Sequence, residues 1–308
     1  MHYLLKAAIQ NAVALLPRPL GQPLYYQLQR RFGALRQVDY DKHLRRAADI
    51  AEVLRQQALP LAGRYLEVGT GWVLGTPLGL WLAGATEVVT VDLHPYLREE
   101  LVLGLLAYLR QQEATVQALY PWVPPAELRR KLQVLAACRS LPELWAAVPI
   151  RYLAPADATR LALPAAGFEY HYSTNVLEHV PASMLTGLLI EARRLLRPGG
   201  YLVHFVDLSD HFAHDDPRRT AVHFLRHGAL AWAALASNRF MYQNRLRLPQ
   251  YQALFAQAGL RLTWERRVVE PASLALVQQP RPPVHPRFQG FSPQELATTF
   301  WVVLAVSE

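Results

Sequence analysis

The chain reads as an α/β protein built on a doubly wound, mainly parallel sheet. Three observations predict this. Short apolar runs stop at glycine or aspartate, helical patterns separate them, and there is enough apolar material to cover a sheet on both faces. Of the 308 residues, 52% are hydrophobic and 18% charged, with 16 Gly and 23 Pro. That balance excludes general disorder. The single cysteine, Cys138, excludes an internal disulfide and a cysteine-based zinc site.

Residues 1–60 read as helices, broken at Pro17 to Pro23, with helical apolar spacing over Asp41 to Gln57 at Leu44, Ala47, Ile50, Ala51 and Leu54. From Arg64 the texture changes. Candidate strands follow at Tyr65–Val68, Glu87–Asp92, Ile150–Leu153, Phe168–Ser173, Tyr201–Val206, Arg261–Arg267 and Thr299–Val306. Helical patterns over Ala182–Leu196 and Gln250–Ala258 lie between later strands. Thr76-Pro77 predicts a capped helix start, and Ser292-Pro293-Gln294-Glu295 a capping box. Pro198-Gly199-Gly200 predicts the stop of a helix ending at Arg197. Residues 94–149 exceed one crossover and hold at least two helices, roughly Tyr96–Leu119 and Pro125–Ala137. Such an insertion serves as a substrate lid or as a helical buttress.

Charge narrows the partners without choosing one. The net charge is +8, and only Lys6, Lys42 and Lys131 are lysines; the other 29 basic residues are arginines in scattered positions. Such a surface attracts nucleic acid, anionic lipid or an acidic substrate alike. No stretch reaches the ~20 apolar residues of a membrane span. The nearest, Tyr3 to Leu16, is interrupted by Lys6, Gln10 and Asn11 and ended by Pro17. It reads as a surface amphipathic helix, with a membrane-surface anchor as the alternative.

The informative segment is Leu66-Glu67-Val68-Gly69-Thr70-Gly71-Trp72 at the end of the first strand. Gly69 and Gly71 let the backbone turn tightly and approach a ligand. Asp92, 21 residues after Gly71, ends the second strand, where a carboxylate can hold two ribose hydroxyls. A nucleoside cofactor follows. The dinucleotide fingerprint asks for a third glycine where Leu74 stands, and Glu67 would repel a pyrophosphate while favouring a cation. The pattern therefore favours S-adenosylmethionine, which carries an ammonium and a sulfonium, over a nicotinamide dinucleotide.

Three further segments complete an ordered set: Asp157-Ala158-Thr159 after the third strand, Tyr172-Ser173-Thr174-Asn175-Val176-Leu177-Glu178-His179-Val180-Pro181 after the fourth, and Arg194 to Leu202 entering the fifth. Together with the glycine loop they resemble the class I S-adenosylmethionine-dependent methyltransferases over about residues 62–306. The resemblance implies a Rossmann-like seven-stranded sheet with one antiparallel strand, here Thr299–Val306. It implies that Glu67, Gly69 and Gly71 hold the methionine part, Asp92 the ribose and Asp157 the adenine, with Thr70, Leu93, Ala158, Asn175 and Val176 also binding the cofactor. Val73 replaces a glycine found in many members. The segments Val206–His214 and Tyr242–Leu248, with the long insertion, resemble a bacterial subgroup of methyltransferase-11 type.

On the acceptor side the candidates are His179, Asp207 and His211, with His214, Tyr242 and Arg245 as further lining residues; His204, inside a strand, reads as core. The run Asp207, Asp210, His211, His214, Asp215, Asp216 also carries metal-ligand residue types. Catechol-type enzymes need a carboxylate where Ser173-Thr174-Asn175 stands, so no metal is expected. The missing Asn/Asp-Pro-Pro-aromatic run, cysteine nucleophile and paired glutamates speak against base, cytosine carbon-5 and protein-arginine acceptors. The expectation is a cytoplasmic O-methyltransferase acting on a small metabolite or saccharide and yielding S-adenosylhomocysteine. It comprises an N-terminal helical segment (1–60) and a cofactor-binding domain (61–308) with the insertion at 94–149. A cofactor-binding module without turnover, and a membrane-associated enzyme acting on lipid or lipid-linked glycan, are the alternatives. The sequence sets no oligomeric state.

Overall fold

The computed structural model describes residues 3–216 and 218–307, without the side chains of Tyr3 and Asp215. Helices α1 (Tyr3–Leu15), α2 (Arg18–Phe32) and α3 (Tyr40–Gln56) precede strand β1 (Arg64–Val68). Then come α4 (Gly75–Ala83), β2 (Glu87–Val91), α5 (Glu99–Gln111), α6 (Glu113–Leu119), α7 (Pro125–Ala137), α8 (Leu141–Ala147), β3 (Ile150–Leu153) and β4 (Phe168–Thr174). The second half holds α9 (Ala182–Leu195), β5 (Leu196–Asp207), α10 (Ala229–Ala236), the two-residue strands β6 (Ser237–Asn238) and β7 (Met241–Tyr242), α11 (Leu248–Gln257), β8 (Leu260–Val269), α12 (Pro271–Val277), α13 (Pro293–Ala297) and β9 (Thr298–Ser307). Seven strands form one sheet in the order β3-β2-β1-β4-β5-β9-β8, with β9 antiparallel to its neighbours. This is the predicted Rossmann-like architecture.

The chain divides into two compact units. The first to be described comprises residues 38–174, 190–203 and 305–308. Here β1 pairs in parallel with β2 and β4, and β2 with β3, so that Glu67 lies opposite Thr90 and Tyr172. The β-branched residues Val88, Val89, Thr90 and Val91 fill β2 and are all buried, as a strand covered on both faces requires. α3 packs on α4 so closely that a Cβ on Gly79 would stand 2.5 Å from that of Ala47 and 2.6 Å from the Tyr120 hydroxyl. Any larger residue there would force the two helices apart.

The insertion, expected to hold at least two helices, resolves into four. The Tyr96–Leu119 prediction breaks at Gln112, and α8 adds a Ser140-capped turn. Lys131 is buried, donating from Nζ to the Trp81 carbonyl (2.9 Å) and pairing with Glu127 at 3.0 Å. Tyr120 donates to the Leu44 carbonyl at 3.0 Å. These bonds fasten the insertion to α3 and to the C-terminal turn of α4, where orphan carbonyls need donors.

Several boundaries differ from the sequence reading; β5 starts at Leu196 rather than Tyr201. α4 starts at Gly75 with no side-chain cap, so Thr76 lies within the first turn. α9 ends at Leu195 instead of Arg197, because Pro198 disfavours helical geometry at the residue before it. The Ser292–Glu295 capping box is present as predicted.

The other unit comprises residues 1–37, 175–189 and 204–304. α1 packs on α2 and α10. Asn11 donates to the Ala234 carbonyl (2.9 Å) and accepts from Asn238 (2.8 Å), while Arg239 donates to the Leu16 carbonyl (2.6 Å). The core of this unit gathers Phe212, Phe224, Trp232, Phe288 and Leu296. His204 is buried in β5 against Phe255, as a core residue. Among the described residues, no helix is long and apolar enough to cross a membrane.

Candidate functional site

The glycine loop and the end of β2 form one hydrogen-bonded assembly. Gly69 and Gly71 have φ of 92° and 66°, a region that costs a residue with a Cβ. The Gly69 amide donates to the Val91 carbonyl at 2.8 Å. The Asp92 carboxylate then ties both loops together: Oδ2 accepts from the Gly71 amide (2.9 Å) and Oδ1 from the His94 amide (3.0 Å). Burial raises the Asp92 pKa, against the lowering effect of these two amides. Beyond it, Trp72 stacks on Tyr96 (4.7 Å between centroids) with the Arg98 guanidinium over its ring.

Glu67 sits differently from an exposed anion. It is 2% exposed, accepts a hydrogen bond from Thr90, and Thr90 contacts Thr70 at 2.5 Å between hydroxyl oxygens. Burial pushes its carboxyl from 4.5 up to about 8, with Asp92 raising it further and the hydrogen bonds from Thr90 and Tyr172 opposing. At neutral pH the group is therefore mostly protonated. Glu67 carries the negative charge expected from the sequence only once a cation approaches and draws the proton off.

Leu93 is exposed, Asp157 is exposed, and Ala158 is half-buried. Asp157 Oδ1 accepts from the amide and hydroxyl of Thr159 (2.9 and 2.8 Å), an Asx turn that fixes its carboxylate. In the other unit, Asn175 takes φ of 56° and donates its amide to the Phe205 carbonyl at 2.8 Å; Val176 follows half-buried. A Cβ at Gly71 would meet nothing within 4 Å, so the backbone there lies open to a ligand, and Asn175 Oδ1 is buried with no hydrogen-bond partner among the described residues.

The acceptor-side candidates His179, Asp207 and His211 come together within one unit. His179 lies in the single turn Leu177–His179, and its Nδ1 is 2.7 Å from the Tyr242 carbonyl oxygen, which makes Nδ1 the protonated nitrogen. Its ring centroid is 4.9 Å from that of His211. The crowded surroundings of the ring, and then His211, hold its pKa below the ordinary imidazole value. Asp207 Oδ2 lies 3.5 Å from His211 Nε2 and 3.6 Å from His214 Nε2, and Ser209 donates to Asp207 Oδ1 from both its amide and hydroxyl. Burial alone would raise Asp207, but His211 and Ser209 hold it at about 2.

Three consecutive residues hold this cluster, and only the first drew attention in the sequence. The carbonyl of Tyr242 fixes His179. The side chain of Gln243 donates to the Ser209 carbonyl and approaches the His211 amide at 3.5 Å. Asn244 donates from Nδ2 to the Leu177 and Val180 carbonyls (2.8 and 3.0 Å), and its amide bonds the Glu178 carbonyl at 2.9 Å. Arg245 is a structural clamp: it donates to the Phe224 and His227 carbonyls and lies over the Trp232 ring at 4.9 Å. Arg247, fully buried, bonds the Leu208, Glu295, Leu296 and Thr298 carbonyls. Desolvation lowers both guanidiniums to about 10, so they remain charged at neutral pH.

Among the described residues, the acidic run after β5 does not gather as one cluster. Asp216 pairs with Arg218 (2.8 Å) and Arg219 (3.4 Å), Asp210 accepts from the Phe212 amide (2.9 Å), and the Asp215 side chain lies outside the described residues.

A glycine-turn loop tied to a strand-end carboxylate, in a seven-stranded sheet with one antiparallel strand, defines the class I S-adenosylmethionine-dependent methyltransferases, with S-adenosylmethionine as cofactor. The methyltransferase domain family model matches residues 40–264, and the chain belongs to that family. Among solved structures, a S-adenosylmethionine-dependent methyltransferase from Methanosarcina mazei is similar at 14% identity, covering 82% of this chain and 96% of that one, with a TM-score of 0.45. Another from Mesorhizobium loti is similar at 17% identity, covering 83% and 96%, with a TM-score of 0.42. A search of curated proteins found no match.

Proposed function

We propose that the enzyme methylates a hydroxyl oxygen of a small metabolite or saccharide. The observation that carries this reading is the assembly of His179, Asp207 and His211, drawn from two separate segments and held by the 242–244 tripeptide. Bound S-adenosylmethionine supplies a methyl carbon on a sulfonium, and in-line displacement leaves S-adenosylhomocysteine. Gly69, Thr70, Gly71, Asp92, Leu93, Asp157, Ala158, Asn175 and Val176 are the proposed cofactor contacts, with Glu67 beneath the loop.

The chain's own contribution on the acceptor side is a proton relay. The imidazole of His211 accepts the hydroxyl proton as the oxygen attacks, and Asp207 stabilises the resulting imidazolium from 3.5 Å. His179, oriented by the Tyr242 carbonyl, positions the acceptor. A general base of this kind contributes ~100–10,000-fold. The test is product formation from a panel of hydroxylated metabolites and sugars. With an active acceptor, His211→Ala should lower kcat at least ~100-fold while the affinity for S-adenosylhomocysteine stays within about twofold. Methylation confined to amines or carbon atoms would overturn the oxygen assignment.

One observation favours a membrane-associated acceptor as a second reading. Eight of the large apolar side chains exposed in the structure lie on α1, α2 and their link, among them Leu15 at 88% and Phe32 at 76%. Residues 1–38 carry Lys6, Arg18, Arg30, Arg31 and Arg36 and no acidic residue. An apolar face with unopposed positive charge suits an anionic bilayer surface. Co-sedimentation with phosphatidylglycerol vesicles should occur at low salt and fall at high salt. No binding at low salt would end this reading.

A further inference from the structure

We propose that Glu178, His179 and His211 bind one divalent transition-metal ion. Each offers one ligand atom, and these atoms all lie within 4.8 Å of one another. Ligand atoms around an ion at ~2.0–2.2 Å stand roughly 3–4 Å apart, so small side-chain rotations close the shell. Two neutral imidazoles and a carboxylate suit zinc, manganese, iron or cobalt better than magnesium or calcium, which prefer oxygen.

The surroundings have the form that metal sites need. A metal-binding histidine commonly donates its other ring N–H to a carbonyl or carboxylate, which fixes the ring and raises its basicity. His179 does this: Nδ1–H meets the Tyr242 carbonyl at 2.7 Å, leaving the Nε2 lone pair for an ion. His211 Nε2 lies 3.5 Å from Asp207 Oδ2 and is buried with no hydrogen-bond partner among the described residues. Glu178 is only 2% exposed, and a cation beside a buried carboxylate offsets its desolvation. The turn that presents Glu178 and His179 is pinned by three bonds from Asn244, so the ligands are held in place beforehand.

This assignment builds on the acceptor-side reading of the same residues: with an ion present, acidification of the acceptor hydroxyl passes from the His211 imidazole to the metal. Its test does not require turnover. Chelator-treated, full-length protein is titrated with Co(II) alone and followed by visible absorption. One equivalent should give a saturable d–d band that added Zn(II) displaces. His211→Ala and His179→Ala should each weaken Co(II) binding at least tenfold, whereas His223→Gln, outside the cluster, should not. Circular dichroism on each variant confirms folding. Absence of a saturable band in the folded protein, or a band unchanged in His211→Ala, overturns the metal site. Either result leaves the oxygen-methylation reading standing if metal-free protein still forms product, so the two fail separately.

Discussion

The glycine loop and the histidine cluster are built by different means. Around Gly69 and Gly71 the shape comes from backbone: two positive φ values and two amides on one carboxylate, Asp92. Around His179 and His211 the shape comes from side chains of distant residues reaching backbone carbonyls, as Asn244 does to Leu177 across 67 positions. The first is a local motif with a local strut. The second is a tertiary construction that fails when a remote amide is removed.

That contrast can be broken most severely at Arg247. Its replacement by alanine strands four carbonyl oxygens inside the fold. Unmet buried acceptors cost ~1–3 kcal/mol each, so a loss of more than ~3 kcal/mol is expected in chemical denaturation. Asp92→Ala comes next: it removes the strut between the loops, and calorimetric titration with S-adenosylhomocysteine should show affinity down at least tenfold. Glu67 tests the loop from beneath. Its folded pKa of about 8 lies above the ordinary 4.5, so the folded state retains a proton that the unfolded chain releases. Stability should then fall as pH rises from about 4.5 toward 8, by a few kcal/mol on the order-of-magnitude scale of such shifts. Thermal unfolding of Glu67→Gln should lack that slope.

Asn244→Ala sharpens the comparison, because it should lower stability by about 1–2 kcal/mol and reduce turnover while leaving S-adenosylhomocysteine affinity within twofold. Equal loss of cofactor affinity would show that the two constructions are not independent. The smallest effect belongs to Gly71→Ala. Space for the methyl is open, so only the strain of a positive φ remains, about 1 kcal/mol of stability.

The same contrast explains what the sequence revealed. The strand ends, the glycine loop and Asp92 are visible because their spacing within 26 residues is itself the signal. So is the final capping box, which the structure retains residue for residue. The four-way division of the insertion was hidden, since the break at Gln112 has neither proline nor glycine to mark it. Gln243 and Asn244 were hidden for another reason. An amide that bonds carbonyls 34 or 67 residues away leaves no periodicity, whereas the aromatic Tyr242 and the charged Arg245 stand out by residue type. Glu178 belongs to a motif visible in the sequence, but its place beside two histidines depends on a loop that begins after the following strand.

The tripeptide Tyr242-Gln243-Asn244 fastens three different places with three adjacent residues: the His179 ring, the loop at Ser209 and the turn at Leu177 to Val180. Such an arrangement fixes chain length. One residue inserted or deleted there shifts every bond downstream of it at once, and no single compensating substitution restores the register. Length change belongs instead at exposed loop positions away from this span, such as Gln279 after α12. A series of single-alanine insertions along residues 228–246 would therefore trace a sharp minimum in turnover at 242–244, marking the stretch in which the count of residues matters as much as their identity.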